Sequence, residues 1–283
     1  MRILITGANG QLGRSFKELF KEQDVSFIET DVDNLDIRKL NEIRNFTQNN
    51  NFTHIFNCAA YNAVDNAETD WKEAYLVNGI GPKNLAIVAG EINAEIVHYS
   101  TDYVFDGRKG LPYTIHDSPN PINKYGESKY LGEKLLQVYG NRSYLIRTSW
   151  LFGDGENNFA LKVISWSNKR NEISIADDEI SAPTYACDLA RATFDLVINR
   201  QYGIYHITNT SCSRYSWAEF ILSKVNWGGT LKKAKQAEFK MRAKRPLNSV
   251  LDNFGLKEAI GYDLPDWKDA TARYLAKLAR RGS

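Results

Sequence analysis

Cysteine and histidine are scarce in this chain, and the few present are scattered. Cys58, Cys187 and Cys212 share no CxxC or Cys/His spacing, and His54, His98, His116 and His206 lie far apart. No zinc or other metal site is expected from such a pattern. Long apolar runs are missing as well, and none approaches the ~20 residues that a membrane-spanning helix needs. The chain opens MRILITGANG, where a strand begins at once without a charged leader and cleavable apolar stretch. Charge of one sign is not in excess: 36 Lys and Arg face 34 Asp and Glu, a net charge of +2. Nucleic acid and membrane are therefore not expected as partners. Repeats, low-complexity tracts and linkers are absent too. The expectation is a soluble, cytoplasmic protein.

What the chain does contain is ordinary globular composition, 43% hydrophobic and 25% charged over 283 residues. That suits one large domain or two unequal ones. Apolar strands alternate with amphipathic helices. RILIT (2–6) precedes the helix SFKELFKEQ, VSFIETD (25–31) precedes IRKLNEIRNFTQ, and THIFNCAA (53–60) precedes a helical region over about 68–92. EIVHYSTD (95–102), a loop, a helix and SYLIRTSW (143–150) follow. Strands rich in Ile, Val and Phe between helices predict a parallel sheet buried on both faces. After residue 150 the pattern loosens into FALKVISWSNK, ISIAD, CDLARATFDLVINR, YGIYHITN, WAEFILSKV and a last helix at roughly 267–280. Ser216 and Glu219 are spaced as a capping box for WAEFILSKV. The expected architecture is α/β: a doubly wound, Rossmann-type parallel sheet with a smaller C-terminal α/β substrate lobe. Residues 1–150 form the dinucleotide-binding part, and 151–283 mainly the lobe, with some segments returning to the sheet. The cationic run LKKAKQAEFKMRAKRP (231–246) is a solvated face on composition alone.

ITGANGQLGRSF places Gly7, Gly10 and Gly13 as GxxGxxG between the first strand and first helix, with Gln11 and Leu12 among them. Glycines there allow a tight turn, close backbone approach to a pyrophosphate and close helix–strand packing. The helix N-terminus offers free N–H groups to phosphate. Asp31 follows Gly13 by 18 residues, where a carboxylate accepts from the adenosine ribose 2′-OH and repels a 2′-phosphate. This leans toward NADH over NADPH, with Arg14 and Arg38 as nearby cations that soften the lean. Asp36 and Ile37 are candidates for the adenine, Asp36 also reading as an N-cap of the next helix. At the edge NCAAYNAVDNAE, Ala59, Ala60 and Tyr61 leave room for a cofactor against the backbone.

PINKYGESKYLGEK sets Tyr125 and Lys129 four residues apart in a segment that reads as helix, hence side by side. An ammonium beside a phenol favours the phenolate and lowers a tyrosine pKa from its usual ~10. By itself the pair also reads as a surface lysine lying along a ring.

Taken in order, the glycine loop, Asp31, the small-residue edge, YSTDYVFDG (99–107), YGESK (125–129), IRTSWLFGDGENNFA, APT (182–184) and KRPLNS (244–249) resemble the extended short-chain dehydrogenase/reductase family. Within it they are similar to the branch that makes dTDP-L-rhamnose. The resemblance implies NAD(P)H-dependent reduction of dTDP-4-dehydro-L-rhamnose by an oxidoreductase of nucleotide-sugar biosynthesis, acting as a monomer or weak homodimer. It implies a catalytic trio: Tyr125 protonates the substrate oxygen, Thr101 polarises it, and Lys129 bonds the nicotinamide ribose and keeps the phenol acidic. It also implies that Asn78 supports the lysine through water, a helix-bending polar residue being the other reading. Asp102 and Trp150 are implied sugar contacts, with core packing the alternative for Trp150. Asn158, Arg245 and Asn248 are candidates for the nucleotide part, Arg245 for its pyrophosphate.

Some positions depart from the family pattern. DDEISAPT carries Glu179 and Ser181 where Gln and often Gly are expected, and Ser15 stands where some members have a metal-binding glutamate. No metal or metal-bridged dimer is carried over. Dehydratases of the family follow the catalytic Thr with Asp-Glu; here Thr101-Asp102-Tyr103 lacks that glutamate. The alternatives are another epimerase or reductase of the family and a non-catalytic, nucleotide-binding regulatory subunit.

Overall fold

The computed structural model describes residues 1–155 and 157–282. Its first half runs β1 (Arg2–Thr6), α1 (Gln11–Glu22), β2 (Ser26–Thr30), α2 (Leu40–Thr47), β3 (His54–Asn57), α3 (Val64–Ala67), α4 (Trp71–Tyr75), α5 (Gly81–Glu91), β4 (Glu95–Thr101), α6 (Lys124–Tyr139) and β5 (Ser143–Thr148). Then come α7 (Phe159–Ser167), β6 (Glu172–Ala176), β7 (Ile180–Ser181), α8 (Ala186–Ile198), β8 (Gly203–His206), β9 (Cys212–Ser213), α9 (Arg214–Lys224), β10 (Thr230–Ala234), α10 (Leu256–Ile260) and α11 (Trp267–Gly282).

Six parallel strands form the central sheet in the order β2-β1-β3-β4-β5-β8. Consecutive Ile3, Leu4 and Ile5 are all fully buried, because alternate side chains enter opposite cores. One core joins Phe16, Phe20, Leu189 and Phe194, from α1 and α8, with Phe56 of β3. The other joins Ile43, Leu85, Val88 and Leu136, from α2, α5 and α6. A strand buried on both faces reads as an unbroken apolar run, which is why these strands were visible in the sequence. The chain leaves β1 first toward β2 and then toward β3, so the winding reverses between β1 and β3. Open α/β sheets bind ligands at the carboxyl ends of the strands flanking such a reversal.

The lobe has its own aromatic core of Phe152, Tyr185, Trp217, Trp267 and Tyr274. It carries two small sheets, β6 with β10 and β7 with β9. Among the described residues no helix is long and apolar enough to cross a membrane.

Three local expectations need correction. The helical region at 68–92 is broken: a π-helical turn, Leu76–Ile80, separates α4 from α5. Close packing coincides with the break, since a Cβ on Gly79 would stand 2.7 Å from Leu131 Cδ2 and one on Gly81 2.5 Å from Ile37 Cδ1. The cap of α9 is Ser213 rather than Ser216. Ser213 Oγ accepts from Ser216 N at 3.0 Å, and the helix starts directly out of β9. The start of the cationic run is strand: TLKKA pairs parallel with β6, and Lys232 reaches Glu172 at 2.6 Å across the pair. Lysines on an edge strand mask its periodicity in sequence.

Candidate active site

The loop between β1 and α1 is built by close approach. Gly7 sits at φ +65°, and a Cβ there would meet Ala59 N at 2.5 Å. A Cβ on Gly13 would meet Gly7 O at 2.5 Å, so both positions exclude side chains for packing reasons alone. Gly10 caps α1 without any side-chain bond, and the first turn holds no acidic residue. Its N–H groups are left to an anion.

Beside this loop a cavity of about 290 Å³ is lined by Gly7, Gly10, Asp31, Asp36, Ile37, Ala59, Ala60 and Tyr61. Asp31 follows β2 directly and is anchored by bonds from Asn9 N at 3.0 Å and Val32 N at 2.8 Å. Asp36 is not the cap of α2, a position held by Lys39. Its carboxylate is committed to Arg38, at 2.8 Å from both Nε and Nη2, which holds it below the usual range. Arg38 also pairs with Glu73, and Arg14 Nε donates to Asn9 O at 2.7 Å. Both cations flagged beside Asp31 are thus engaged.

Asn78 lies in the π-helical turn, as the helix-bending reading has it. Its buried amide accepts from Tyr61 N at 2.8 Å and donates to Tyr61 O and Ser128 Oγ, both at 3.0 Å. Ser128 in turn donates to Tyr125 O at 2.7 Å. The side chain clamps the Tyr61 edge to α6, and the π-helical turn is what carries it there.

Thr101 ends β4, and Tyr125 and Lys129 lie on α6, opened by Asn123, whose side chain accepts from Gly126 N at 2.7 Å. These three side chains meet Gly10, Gln11 and Trp150 around a cavity of about 160 Å³. Burial pushes the Tyr125 phenol up to about 12, against a hydrogen bond with Thr101 that pulls it down. Burial drives the Lys129 ammonium down to about 8, opposed by Glu133. Lys129 Nζ donates to Tyr99 O at 2.5 Å. For the chain by itself the phenol is thus raised rather than made acidic: burial dominates its shift, and the Lys129 ammonium bonds a backbone carbonyl.

Asp102 is buried, and burial raises its carboxyl to about 6 against bonds from Ser249, Ser181 and Thr101. Ser181 and Ser249 donate to its Oδ2 at 3.1 and 2.5 Å. The departure at Ser181 thus supplies a hydroxyl to Asp102. Trp150 has φ +40°, a conformation uncommon for a bulky residue and frequent at functional sites. The Arg214 guanidinium lies 3.5 Å from its ring centroid.

Trp150 also borders a larger cavity of about 620 Å³, with Lys162, Trp166, Arg214, Phe239 and Arg245. Arg245 reaches Asp65 at 2.6 Å, and its Nε is buried without a partner. Asn158 borders this cavity too, but its side chain is spent internally. It caps α7 by accepting from Leu161 N at 3.0 Å, and it donates to Tyr274 Oη at 2.9 Å. Asn248 lines none of these cavities; its backbone pairs with Ile180, and its Oδ1 accepts from Val250 N at 3.4 Å. That pairing turns its neighbour Ser249 inward to Asp102.

Sequence reasoning missed Arg214 and Ser249. Ser249 lay within KRPLNS and was passed over for Asn248. Arg214 had only an indirect signal, the unexpected Glu179, whose Oε2 stands 3.5 Å from Arg214 Nε.

The model of the RmlD substrate binding domain family matches residues 1–280. A dTDP-4-dehydrorhamnose reductase from Aggregatibacter actinomycetemcomitans is 36% identical over 290 residues, covering 95% of this chain and 96% of its own length. The crystal structure of a dTDP-4-dehydrorhamnose reductase from Clostridium acetobutylicum superposes with a TM-score of 0.96 at 39% identity, covering 99% of this chain and all of that one. The corresponding enzyme from Bacillus anthracis, solved in complex with NADP, gives 0.94 at 36% identity, covering 98% and 99%. With the reversal of the sheet at β1/β3, the uncapped glycine loop and the Thr101, Tyr125 and Lys129 cluster, these matches establish that the chain belongs to the RmlD substrate binding domain family.

Proposed function

We propose that this chain reduces dTDP-4-dehydro-L-rhamnose to dTDP-L-rhamnose with NADH or NADPH. The observation that carries the reading is the junction of cavities at Trp150. One holds Thr101, Tyr125 and Lys129; the other is larger, with aromatic and cationic walls. A keto sugar suits the first and a nucleoside diphosphate the second.

The residues present fit a dinucleotide, because Gly7, Gly10 and Asp31 line a cavity beside the loop and the N–H groups of the first α1 turn have no side-chain cap. When bound, the nicotinamide supplies the hydride. Gly7, Gly10, Gln11, Leu12 and Gly13 would hold the pyrophosphate region. Asp31, Asp36, Ile37, Ala59, Ala60 and Tyr61 would hold the adenosine end. Tyr125 donates its phenolic proton to the keto oxygen, and Thr101 Oγ1 hydrogen-bonds that oxygen as it gains charge. Lys129, one of whose three donors is held by Tyr99 O, offers the other two to the nicotinamide ribose. Asp102, presented by Ser181 and Ser249, accepts from a sugar hydroxyl. Residues 1–150 thus serve mainly the cofactor and 151–283 mainly the substrate. Reduced nicotinamides and nucleotide sugars are cytoplasmic metabolites, and we place the reaction there, in a monomer or weak homodimer.

The test is an assay of synthetic dTDP-4-dehydro-L-rhamnose with NADH and NADPH, following absorbance and product. Stoichiometric oxidation of the nicotinamide with formation of a 4-hydroxy sugar is expected. An epimerase would convert the sugar without net oxidation, and a regulatory subunit would bind without turnover. Protein that binds cofactor yet gives neither oxidation nor product would sink the reading.

Asp31 sets a further expectation. Its carboxylate faces the adenosine end while Arg38 is neutralised by Asp36 and Glu73. NADH should bind at least as well as NADPH, and Asp31→Ala should move preference toward NADPH, read from Kd values by fluorescence titration. A wild-type chain binding NADPH more than about tenfold tighter, a gap of about 1.4 kcal/mol, would contradict this role of Asp31.

A further inference from the structure

An arginine side chain carries five N–H donors, and among the described residues Arg214 uses one of them. That bond runs from Nε to Glu179 Oε2 at 3.5 Å, the outer limit of hydrogen bonding. Elsewhere the chain makes far tighter pairs: Arg273 meets Asp188 through two nitrogens at 2.8 and 2.7 Å, and Asp269 at 2.7 Å. Arg214 is nevertheless largely withdrawn from water, its side chain 17% exposed. Its guanidinium lies 3.5 Å from the Trp150 ring centroid and 4.7 Å from that of Phe159. A buried cation with one long ion pair is poorly compensated, and burial accordingly weakens its hold on the proton, with Glu179 opposing. Glu179 is better satisfied, since its other oxygen accepts from Gln236 Nε2 at 3.0 Å.

Location gives this loose cation a use. Arg214 lines the large cavity, and Trp150, on which it lies, borders both that cavity and the one around Tyr125. In a nucleotide sugar the diphosphate is the segment joining sugar to nucleoside. With the sugar at Tyr125 and the nucleoside among Trp166 and Phe239, the diphosphate falls beside Trp150.

We propose that Arg214 is a specificity-determining residue that binds the diphosphate of the substrate, exchanging Glu179 for its oxygens; the inference rests on the nucleotide-sugar reading above. Planar guanidinium donors match phosphate oxygens in pairs. Glu179 compensates the cation while the cavity is open and competes with the diphosphate when it enters. The two unusual residues, far apart in sequence, act as one device.

The experiment is calorimetric titration of dTDP and of thymidine into the NADPH-saturated wild type, Arg214→Gln and Glu179→Gln. Arg214→Gln should weaken dTDP by about tenfold to a hundredfold, the loss of a charge-assisted pair, and leave thymidine within about twofold. Glu179→Gln should tighten dTDP several-fold, because the competitor loses its charge, with thymidine again unmoved. Equal weakening of both ligands by Arg214→Gln would make Arg214 a mere wall of the cavity and overturn the proposal. Unchanged or weaker dTDP binding by Glu179→Gln would overturn it too, even were Arg214→Gln to misfold. A wild type that binds neither ligand would instead sink the nucleotide-sugar reading, and this inference with it.

Discussion

Tyr125→Phe should lower kcat by about 10²–10⁴, the usual loss for a removed general acid, with little change in substrate or cofactor affinity. Only the hydroxyl goes. The ring keeps its edge-on contact with Tyr103, at a centroid distance of 5.9 Å. The proton moves only in the transition state, so the loss belongs to kcat rather than to binding. The pH profile supplies a second readout. Burial holds the Tyr125 phenol at about 12, so it stays protonated through neutral pH, the form that reduction consumes. Lys129, driven down to about 8, is fully charged below that pH and loses its charge as pH rises through it. Reduction should therefore decline above pH ~8, before any loss of the phenolic proton. Initial rates from pH 6 to 10 under saturating cofactor check this. A Tyr125→Phe enzyme with near-normal kcat would return Tyr125 to a packing role, and a flat profile past pH 9 would remove the Lys129 charge from the chemistry.

The second large effect is on stability, from an ion pair directly behind the site. Glu133 is one helical turn beyond Lys129 on α6, and both of its oxygens meet Arg147 of β5, at 2.9 and 2.7 Å. It also accepts from Ser100 Oγ at 2.5 Å. Glu133 and Arg147 are nearly inaccessible, 1% and 4% exposed at the side chain. Glu133→Ala leaves a guanidinium buried without its counter-charge and should cost about 3–5 kcal/mol. Replacing both partners, Glu133→Leu with Arg147→Met, should recover most of that loss, because no charge then remains to desolvate. Urea denaturation of the three proteins tests it. An unchanged midpoint for Glu133→Ala would show that the pair does not hold the catalytic helix to the sheet. Where the single variant stays folded, Lys129 and Tyr125 should also lose position, and kcat should fall with stability.

Local chemistry explains what could be read without coordinates. Parallel strands buried on both faces are rich in apolar and β-branched residues, so RILIT marks β1 and EIVHYST marks β4 by composition alone. Gly7 and Gly13 are dictated by contacts within one strand–turn–helix unit, where a side chain would meet backbone at 2.5 Å. Tyr125 and Lys129 are neighbours by helical periodicity. These features depend on residues close in sequence, and the sequence by itself determined them.

Tertiary structure decided the rest, because the deciding partners are distant. Asp36 reads as a cap until Lys39 is seen to open α2 and Arg38, itself held by the distant Glu73, takes the Asp36 carboxylate. Asn158 looks like a ligand residue until Tyr274, 116 positions away, takes its amide. The acidity of Tyr125 depends on how much water the folded chain removes from it, a quantity no spacing encodes. Burial reverses the shift that a nearby lysine alone would give. Glu179 and Arg214, 35 residues apart, are each unremarkable until β7 and the start of α9 set one against the other beside Trp150. A periodic pattern fixes which side chains share a face of one element. Desolvation and charge pairing depend on which faces meet, and those are settled only when the whole chain has folded.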